Sequence, residues 1–341
     1  MEGLNIMTAK KLFLETIKSD GKPDRLLKQF EGTVFYPPNP ASSYIRGNRH
    51  PGMDPLKDRF GTTILWPANQ VAAMPHVTAE NKVIKDITEW KDQLVMPDLE
   101  ANCSDPELWK PFIEKAEEIK ASGGLLMAFM PTGVFERLHF LMGFEDMLVN
   151  YLLEPEDMMD LCNAIGEYRF QYMKLIVDNL KPDIMLSHDD WGSKNSLFVS
   201  PDTWREFIKP QYEKTYGYMK ERGVIIMHHA DSFMEPIVED MVDLGIDIWQ
   251  GTLPENDIPR LQEQLAGRMT LMGGIDASIV DRADSTEEEI RREVRRACET
   301  YAPGGHYIPC ITYGAPGCLF PHVDPIIDDE IAKYNKEVYG I

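Results

Sequence analysis

The most reactive side chains of the sequence stand in the run His228-His229-Ala230-Asp231, directly after a short apolar stretch. Histidine is the commonest metal ligand in proteins, and a nearby carboxylate adds negative charge. Cys310 ends a later apolar stretch, and thiolate, imidazole and carboxylate groups together suit zinc. The candidate zinc ligands are therefore His228, His229, Asp231 and Cys310. Alternatively, one histidine is a packed core residue and Cys310 a small apolar side chain.

A second ionisable group, His188-Asp189-Asp190-Trp191, follows another apolar stretch. Adjacent carboxylates bind substrates, orient a histidine, or share a proton so that one pKa rises. We predict a catalytic role for Asp190, in orienting the substrate or handling a proton. We predict that His188, Asp189 and Trp191 bind substrate, with the indole as a wall for a flat ligand. Capping of a turn, pairing with an arginine and core packing are the alternatives.

Other polar residues are candidates for the same pocket. Glu136 follows the end of a predicted strand and is predicted to be catalytic, although it could be only the first-turn acid of the next helix. Gln250 stands at another strand end and is predicted to bind substrate. Arg46, Arg49 and Arg59 could hold an anionic group of a substrate or remain solvated. The sequence contains neither a GxSxG motif nor a glycine-rich phosphate loop, so it offers no support for serine-based catalysis.

These residues must be positioned by a repeating pattern of short apolar runs and longer amphipathic stretches. Continuous apolar runs are typical of parallel strands that are covered on both faces. Seven such strands are predicted, at residues 33–36, 125–130, 184–187, 224–227, 246–249, 270–272 and 306–309.

Seven strands with helices between them favour an eight-stranded β/α barrel or a doubly wound open sheet. No GxGxxG motif follows the first strand, which argues against a dinucleotide-binding sheet. Barrel active sites form where strands end, and many of these strands end in polar groups. We therefore predict an α/β fold, a (β/α)8 TIM barrel, as a single domain over residues 1–341. Residues 1–120 would form the first strand and an N-terminal helical and loop extension over the barrel mouth, including loops at 36–66, and residues 121–341 the main β/α repeats.

Helix starts are marked by capping residues. Asp105 and Ser200 each precede a proline, which is favoured at the first helical position. Ser285 and Glu288 have the spacing of a capping box at the start of a helix that runs to about Tyr301.

Composition excludes several classes of protein. The 341 residues include 35 Lys and Arg against 56 Asp and Glu, a formal charge of −21. Such a surface repels phosphate backbones and anionic lipids, so neither nucleic acid nor membrane is an expected partner. No apolar run is long enough to span a membrane, and the N-terminus lacks the pattern of a secretory signal. Five scattered cysteines without a CxxC pair suit a reducing compartment, and we predict a cytoplasmic protein.

Several longer runs form recognisable motifs. They are KDRFGT at 57–62, VIKDI at 83–87 with Trp90-Lys91, FER at 135–137, HDDWGS at 188–193, SPD at 200–202, Lys209-Pro210, MGGID at 272–276 and Gly304-Gly305. With these motifs the chain resembles the uroporphyrinogen decarboxylase-like superfamily over most of its length, and especially its branch of cobalamin-dependent methyltransferases. The resemblance implies a β/α barrel with its pocket at the carboxyl ends of the strands.

The resemblance also implies a reaction. Methyltransferases of this branch that activate coenzyme M hold zinc through a His-x-Cys motif and a later Cys. His228 and Cys310 match the first and last ligands, but Ala230 replaces the middle Cys, which leaves Asp231, His229 or Glu136 as the third ligand.

Residues 36–66 and 66–76 look more like the O-demethylase methyltransferases, which transfer a methyl group from a methyl ether to the corrinoid of a partner protein. The expected partners are thus a small methyl donor and a transiently bound corrinoid protein that supplies cobalamin, and a homodimer is compatible with the sequence. A metal-independent decarboxylase or lyase, a methylcobalamin:thiol methyltransferase and a non-catalytic binding barrel are the alternatives.

Overall fold

The computed structural model describes residues 6–70, 72–311 and 318–341. Seven of its strands pair in chain order into one parallel sheet, and three short strands form a separate antiparallel sheet. The parallel sheet contains β1 (Thr33–Phe35), β5 (Leu125–Met130), β6 (Ile184–His188), β7 (Ile225–His229), β8 (Ile248–Thr252), β9 (Thr270–Ile275) and β10 (Tyr307–Ile311). The antiparallel sheet contains β2 (Met53–Lys57), β3 (Thr63–Trp66) and β4 (Met74–Pro75).

The predicted TIM-barrel-like fold is confirmed, and each of the seven predicted strands is present. The parallel sheet curls around an apolar interior as a half-barrel. Within the described residues it has seven strands, where the barrel prediction has eight. Strands β7 and β8 run further toward their carboxyl ends than the apolar runs predict, so His228, His229 and Gln250 lie inside strands.

Side chains along each strand alternate between two apolar layers. In β7, Ile225 and Met227 face the barrel interior, whereas Ile226 packs in the layer between sheet and helices. In β6, Ile184 and Leu186 likewise face the interior. This alternation follows from the two-residue repeat of a strand, and it decides which polar residues at the strand ends reach the pocket.

The outer layer is formed by helices that follow the strands. No helix among the described residues combines the length and apolarity needed to cross a bilayer. The helices are α1 (Ala9–Ile17), α2 (Pro40–Arg46), α3 (Trp90–Gln93), α4 (Leu99–Cys103), α5 (Pro106–Ala121), α6 (Val134–Met142), α7 (Phe144–Leu153), α8 (Pro155–Leu180), α9 (Pro201–Thr203), α10 (Lys209–Lys220), α11 (Val238–Asp243), α12 (Ile258–Leu265), α13 (Ala277–Val280), α14 (Glu287–Tyr301) and α15 (Val323–Tyr339).

Two predicted helix starts are confirmed and one shifts by a residue. Asp105 caps α5, and Ser200 caps α9. The capping box of α14 is formed by Thr286 and Glu289, not by Ser285 and Glu288. The sequence satisfies both spacings, and Ser285 instead donates its hydroxyl to the carbonyl of Val280 at 2.8 Å.

Helix α1 closes the barrel at the amino-terminal end of the strands. Leu12 and Phe13 belong to the apolar cluster of the barrel interior. The carbonyl of Thr16 lies 3.2 Å from a ring nitrogen of His306, which directly precedes β10. This part of the N-terminal extension therefore lies at the end opposite the mouth, because its apolar face covers the interior side chains there.

The segment at 36–66 is not a set of loops, as the sequence suggests, but contains α2, β2 and β3. It packs beside α6: the hydroxyl of Thr62 donates to the carbonyl of Phe140 at 3.2 Å. Asp58 in the same segment forms a buried ion pair with Arg137 of α6, with 2.9 Å between Oδ2 and Nη1. This segment therefore supports the helix that begins at the barrel mouth.

Candidate metal centre

Three polar side chains stand in a row across the carboxyl ends of neighbouring strands. His188 of β6 is the register partner of His229 of β7, and His229 is the register partner of Gln250 of β8. By the strand alternation, all three continue the face of the residues that fill the barrel interior. The two imidazole rings stack, with 4.6 Å between centroids and 16° between planes.

Each of the two histidines is held through its Nδ1 atom. His188 Nδ1 lies 2.8 Å from Glu136 Oε2, and His229 Nδ1 forms a short hydrogen bond with Gln250 Oε1. Because both partners are acceptors, each Nδ1 donates its proton and the Nε2 atoms are left for another ligand. Histidines that bind metals are usually oriented by such an acceptor on the second nitrogen.

Asp190 completes a group that could hold a metal ion. His188, Asp190 and His229 each offer one ligand atom, and these atoms all lie within 4.8 Å of one another. Within the described residues, no other set of three histidines, cysteines or carboxylates meets this condition. Two imidazoles and a carboxylate with open positions suit zinc or another divalent metal. The sequence alone singled out His188 and Asp190 only for substrate binding and catalysis.

The charges around His188 favour a cation. Burial by itself would lower the pKa of His188, but the Glu136 carboxylate overrides this effect and raises the pKa to about 10. Burial would raise the pKa of Glu136, but the charge and hydrogen bond of His188 lower it to about 2. A divalent ion on Nε2 of His188 would take the place of the proton that Glu136 stabilises there.

The pKa values of the neighbouring groups are shifted mainly by burial. Burial, with the charge of His188, lowers the pKa of His229 to about 4, so this imidazole is neutral and keeps a free electron pair near pH 7. Burial raises the pKa of Asp190 to about 7 and that of Asp231 to about 6. Asp231 is linked to Asp190 through its backbone N–H, which donates to Asp190 Oδ1 at 3.2 Å. Asp231 therefore lies next to the trio and is not a member of it.

Asp189 is buried and saturated by hydrogen bonds instead of facing a substrate. Its carboxylate accepts from the backbone N–H groups of Phe135 and Glu136, the indole of Trp191 and the hydroxyl of Tyr212, at 3.0, 2.9, 2.7 and 2.5 Å. Two of these donors belong to the first turn of α6. Asp189 thus fixes the start of the helix that carries Glu136, whereas the sequence predicts a contact with substrate.

His228 and Trp191 face the helix layer and not the pocket. Both are fully buried, and their rings stack at 4.0 Å between centroids. His228 Nδ1 lies 2.7 Å from the hydroxyl of Tyr216, and Nε2 lies 3.2 Å from the carbonyl of Asp189. Because consecutive strand residues point to opposite faces, His229 reaches the mouth and His228 does not. Neither the predicted ligand His228 nor the predicted aromatic wall Trp191 is therefore accessible to an ion or substrate there.

Cys310 faces the barrel interior, among apolar side chains such as Ile308 and Met272. Burial raises the pKa of its thiol. It lies on the opposite face of the sheet from His228, so the pair expected from the sequence is not brought together. All five cysteines are free.

Gln250 is 5% exposed, and its side-chain oxygen forms a hydrogen bond with His229. In the structure it therefore orients a histidine, whereas the sequence predicts a contact with substrate. Glu136 likewise acts on His188, and its side chain is 12% exposed. The side chain of His188 itself is 27% exposed, and Asp190 is likewise partly exposed, whereas His229 is buried.

Comparison with known families identifies the class of protein. The uroporphyrinogen decarboxylase (URO-D) family profile matches residues 104–321, which is more than half of the chain. The protein therefore belongs to the URO-D family. No curated protein sequence gives a significant match.

Solved structures share the fold at low sequence identity. A methyltransferase from Methanosarcina mazei superposes with a TM-score of 0.61 and 14% identity, over 90% of this chain and 81% of its own. A sugar phosphate isomerase/epimerase from Parabacteroides distasonis gives a TM-score of 0.30 at 11% identity, over 69% of this chain and 91% of its own. The methyltransferase therefore shares the architecture over nearly the whole chain, whereas the second resemblance is weak.

Proposed function

We propose that this protein is a methyltransferase that moves a methyl group from a small donor, a methyl ether in the first instance, to the Co(I) corrinoid of a partner protein. The observation that carries the proposal is the His188–Asp190–His229 trio, because it equips the barrel mouth for a divalent metal such as zinc. The shared fold with a Methanosarcina methyltransferase supports the same class of reaction.

The chemistry explains why a metal belongs there. When the methyl carbon of an ether is attacked, the C–O bond breaks and its electron pair stays on the oxygen, which is a poor leaving group. Zinc held by the trio would act as a Lewis acid that stabilises this negative charge. A metal-independent decarboxylase of the same family would have no need for two imidazoles that are both oriented through Nδ1 and stand beside a carboxylate.

Neighbouring side chains orient the two histidines of the trio. Glu136 fixes the ring of His188 and Gln250 fixes the ring of His229. Asp189 holds the first turn of α6 and so keeps Glu136 within reach of His188. These contacts hold the donor atoms in place before the substrate arrives, which lowers the cost of assembling the site.

Metal analysis tests the assignment of ligands. We expect the purified full-length protein to contain stoichiometric zinc and His229→Ala to lose it. The matched variant Cys310→Ala should retain zinc, because its thiol lies among apolar side chains. Loss of zinc from Cys310→Ala with retention in His229→Ala would reject the trio and favour the pair His228 and Cys310 that the sequence predicts.

Activity tests the reaction class. The wild-type protein is incubated with a panel of aryl methyl ethers and free cob(I)alamin, and the change of the corrinoid spectrum is followed. We expect transfer that depends on zinc and on His229. Release of CO2 from a porphyrinogen without added metal, and no methyl transfer from any ether, would replace this proposal with the decarboxylase alternative.

A further inference from the structure

A small cavity lined by three arginines lies outside the barrel, behind the loop that follows β5. Its volume is about 20 Å³, enough for a particle the size of a water molecule or a small ion. It is enclosed by α2, α6 and α8 and by Pro131 and Thr132 of the loop. Arg46, Arg137 and Arg169 reach it from the three helices, and we call it the arginine cavity.

Arg169 is the strongest sign that something charged belongs in this cavity. The residue is only 3% exposed, yet its Nε and Nη1 atoms have no hydrogen-bond partner. Its single hydrogen bond among the described residues runs from Nη2 to Ser187 Oγ at 2.7 Å. The hydroxyl of Tyr168, which also lines the cavity, has no hydrogen-bond partner either. Buried polar atoms without partners are rare and indicate a missing water or ion.

The charge around the cavity is unbalanced. Arg137 is paired with Asp58 at 2.9 Å, and Arg49 reaches the same carboxylate at 3.8 Å. In the described part of the chain, neither Arg46 nor Arg169 has a carboxylate within ion-pair distance. Burial would lower the pKa of Arg169, but Tyr212, Tyr216, Asp189 and Glu136 raise it from beyond ion-pair distance. This excess of positive charge stands out in a protein with a formal charge of −21.

Burial and the neighbouring guanidinium groups lower the pKa of two of these arginines, Arg49 and Arg46. Burial, then the charge of Arg46, lowers the pKa of Arg49 to about 10. Burial and the charge of Arg137 also lower the pKa of Arg46. Removing a cation from water without a counter-charge is costly, so an anion in the cavity would relieve this repulsion.

We propose that the arginine cavity binds one small inorganic anion of about the size of chloride, held by Arg46 and Arg169. The bonds would be charge-assisted N–H donations to the anion, from atoms that otherwise have no acceptor. Since Pro131 and Thr132 line the same cavity and α6 begins at Val134, the anion also steadies the turn that leads to Glu136.

Anomalous diffraction locates the anion directly. Crystals of the full-length protein are soaked in sodium bromide and data are collected at the bromine edge. We expect an anomalous peak at hydrogen-bond distance from Nε or Nη1 of Arg169. A soaked crystal with an ordered water, or nothing, at this position would overturn the proposal.

Thermal denaturation supplies an independent measure. At equal ionic strength, the melting temperature should be higher in sodium chloride than in sodium gluconate, because only the smaller anion fits. Arg169→Met should weaken the apparent affinity for chloride roughly tenfold or more. Arg46→Met should weaken the apparent affinity for chloride in the same way. Arg46 donates no side-chain hydrogen bond among the described residues, so this variant can replace Arg169→Met if that protein fails to fold.

The control is Arg222→Met, which removes a partly exposed arginine that lies over the ring of Tyr218 on α10. This variant should keep the chloride effect of the wild type. A chloride effect that persists in both Arg46→Met and Arg169→Met would place the anion elsewhere and reject the proposal. Neither the anomalous diffraction nor the thermal denaturation depends on methyl transfer, so the anion site is tested separately from the proposed function.

Discussion

His188 and His229 face each other across strands β6 and β7, and their rings stack 4.6 Å apart. Each ring is fixed at Nδ1 by a different acceptor, Glu136 for one and Gln250 for the other. Two neighbouring strands therefore deliver two pre-oriented Nε2 atoms to one place. Asp190, two residues after His188 in the chain, offers a third atom that could bind a metal ion.

Replacing Glu136 by glutamine should weaken metal binding without removing a metal ligand. The side chain keeps its size, but the negative charge that supports His188 is lost. We expect affinity for zinc to fall roughly 10- to 100-fold, as for other partners of metal-binding histidines. Competition with a chromophoric chelator measures this change. Glu145→Gln, on the exposed first turn of α7, is the control, and equal affinities in the two variants would contradict the role of Glu136.

Replacing Gly133 by alanine should destabilise the fold. A Cβ atom at this position would lie 1.9 Å from Cγ of Asp189, so the start of α6 must move. We expect the free energy of unfolding to fall by about 1–3 kcal/mol, as for other overpacked sites. Urea denaturation provides the measurement.

Gly217→Ala is the matched control for this glycine. Gly217 lies within α10 and has open space around its Cβ position. Alanine should leave stability unchanged or raise it by about 0.4–1 kcal/mol, since alanine favours helix. If the two variants were equally stable, the contact between Gly133 and Asp189 would have no energetic importance.

Replacing Asp189 by asparagine should cost more stability than any surface substitution. Four donors converge on this buried carboxylate, and an amide removes the charge and one acceptor. We expect a loss of about 2–4 kcal/mol in the free energy of unfolding. Asp202→Asn, which affects an exposed ion pair with Arg205, should change it by less than about 1 kcal/mol. A loss no larger than that of the control would argue against Asp189 as the anchor of α6.

Stability should depend on pH through His139 of α6. Burial, partly offset by Glu136, lowers its pKa in the folded protein from 6.5 to about 4. The unfolded chain therefore takes up the proton first, and stability is lost as pH falls from 6.5 toward 4. The slope from this residue is at most about 1.4 kcal/mol per pH unit.

His139→Phe tests this dependence, because the ring lies among Phe135, Phe140 and Phe144 and a phenyl group fits the same neighbours. The variant should lose less stability between pH 6.5 and 4 than the wild type, as followed by urea denaturation. His50→Phe, in an exposed segment, should retain the slope of the wild type. Identical slopes for His139→Phe and the wild type would contradict the prediction.

The fold was more predictable from the sequence than the arrangement of the site. All seven apolar runs are strands of the parallel sheet, because such runs have few alternatives to a doubly covered strand. The same continuous apolarity hides which residues face the interior. Met227 and Ile226 are both apolar, so the sequence does not reveal that His229, and not His228, continues the inner face.

Long-range contacts explain the other differences. The sequence places Glu136 and His188 at the ends of separate strands, but only the folded chain shows that they meet at 2.8 Å. The saturation of Asp189 also depends on Tyr212 of α10, which no local pattern indicates. The sequence correctly places Cys310 near the end of a strand. It does not show that apolar side chains from other strands surround the thiol.

Helix α1 covers the barrel interior at the amino-terminal ends of the strands, and this bears on how small molecules reach the proposed site. In the described part of the chain, Leu12 and Phe13 cover one end of the apolar interior, and the partly exposed His188 lies at the rim of the other end. In the proposed reaction, a docked corrinoid protein would cover that same rim. Under the proposed function, the methyl donor would therefore enter before the partner docks and the demethylated product would leave after it departs, so binding would follow a fixed order.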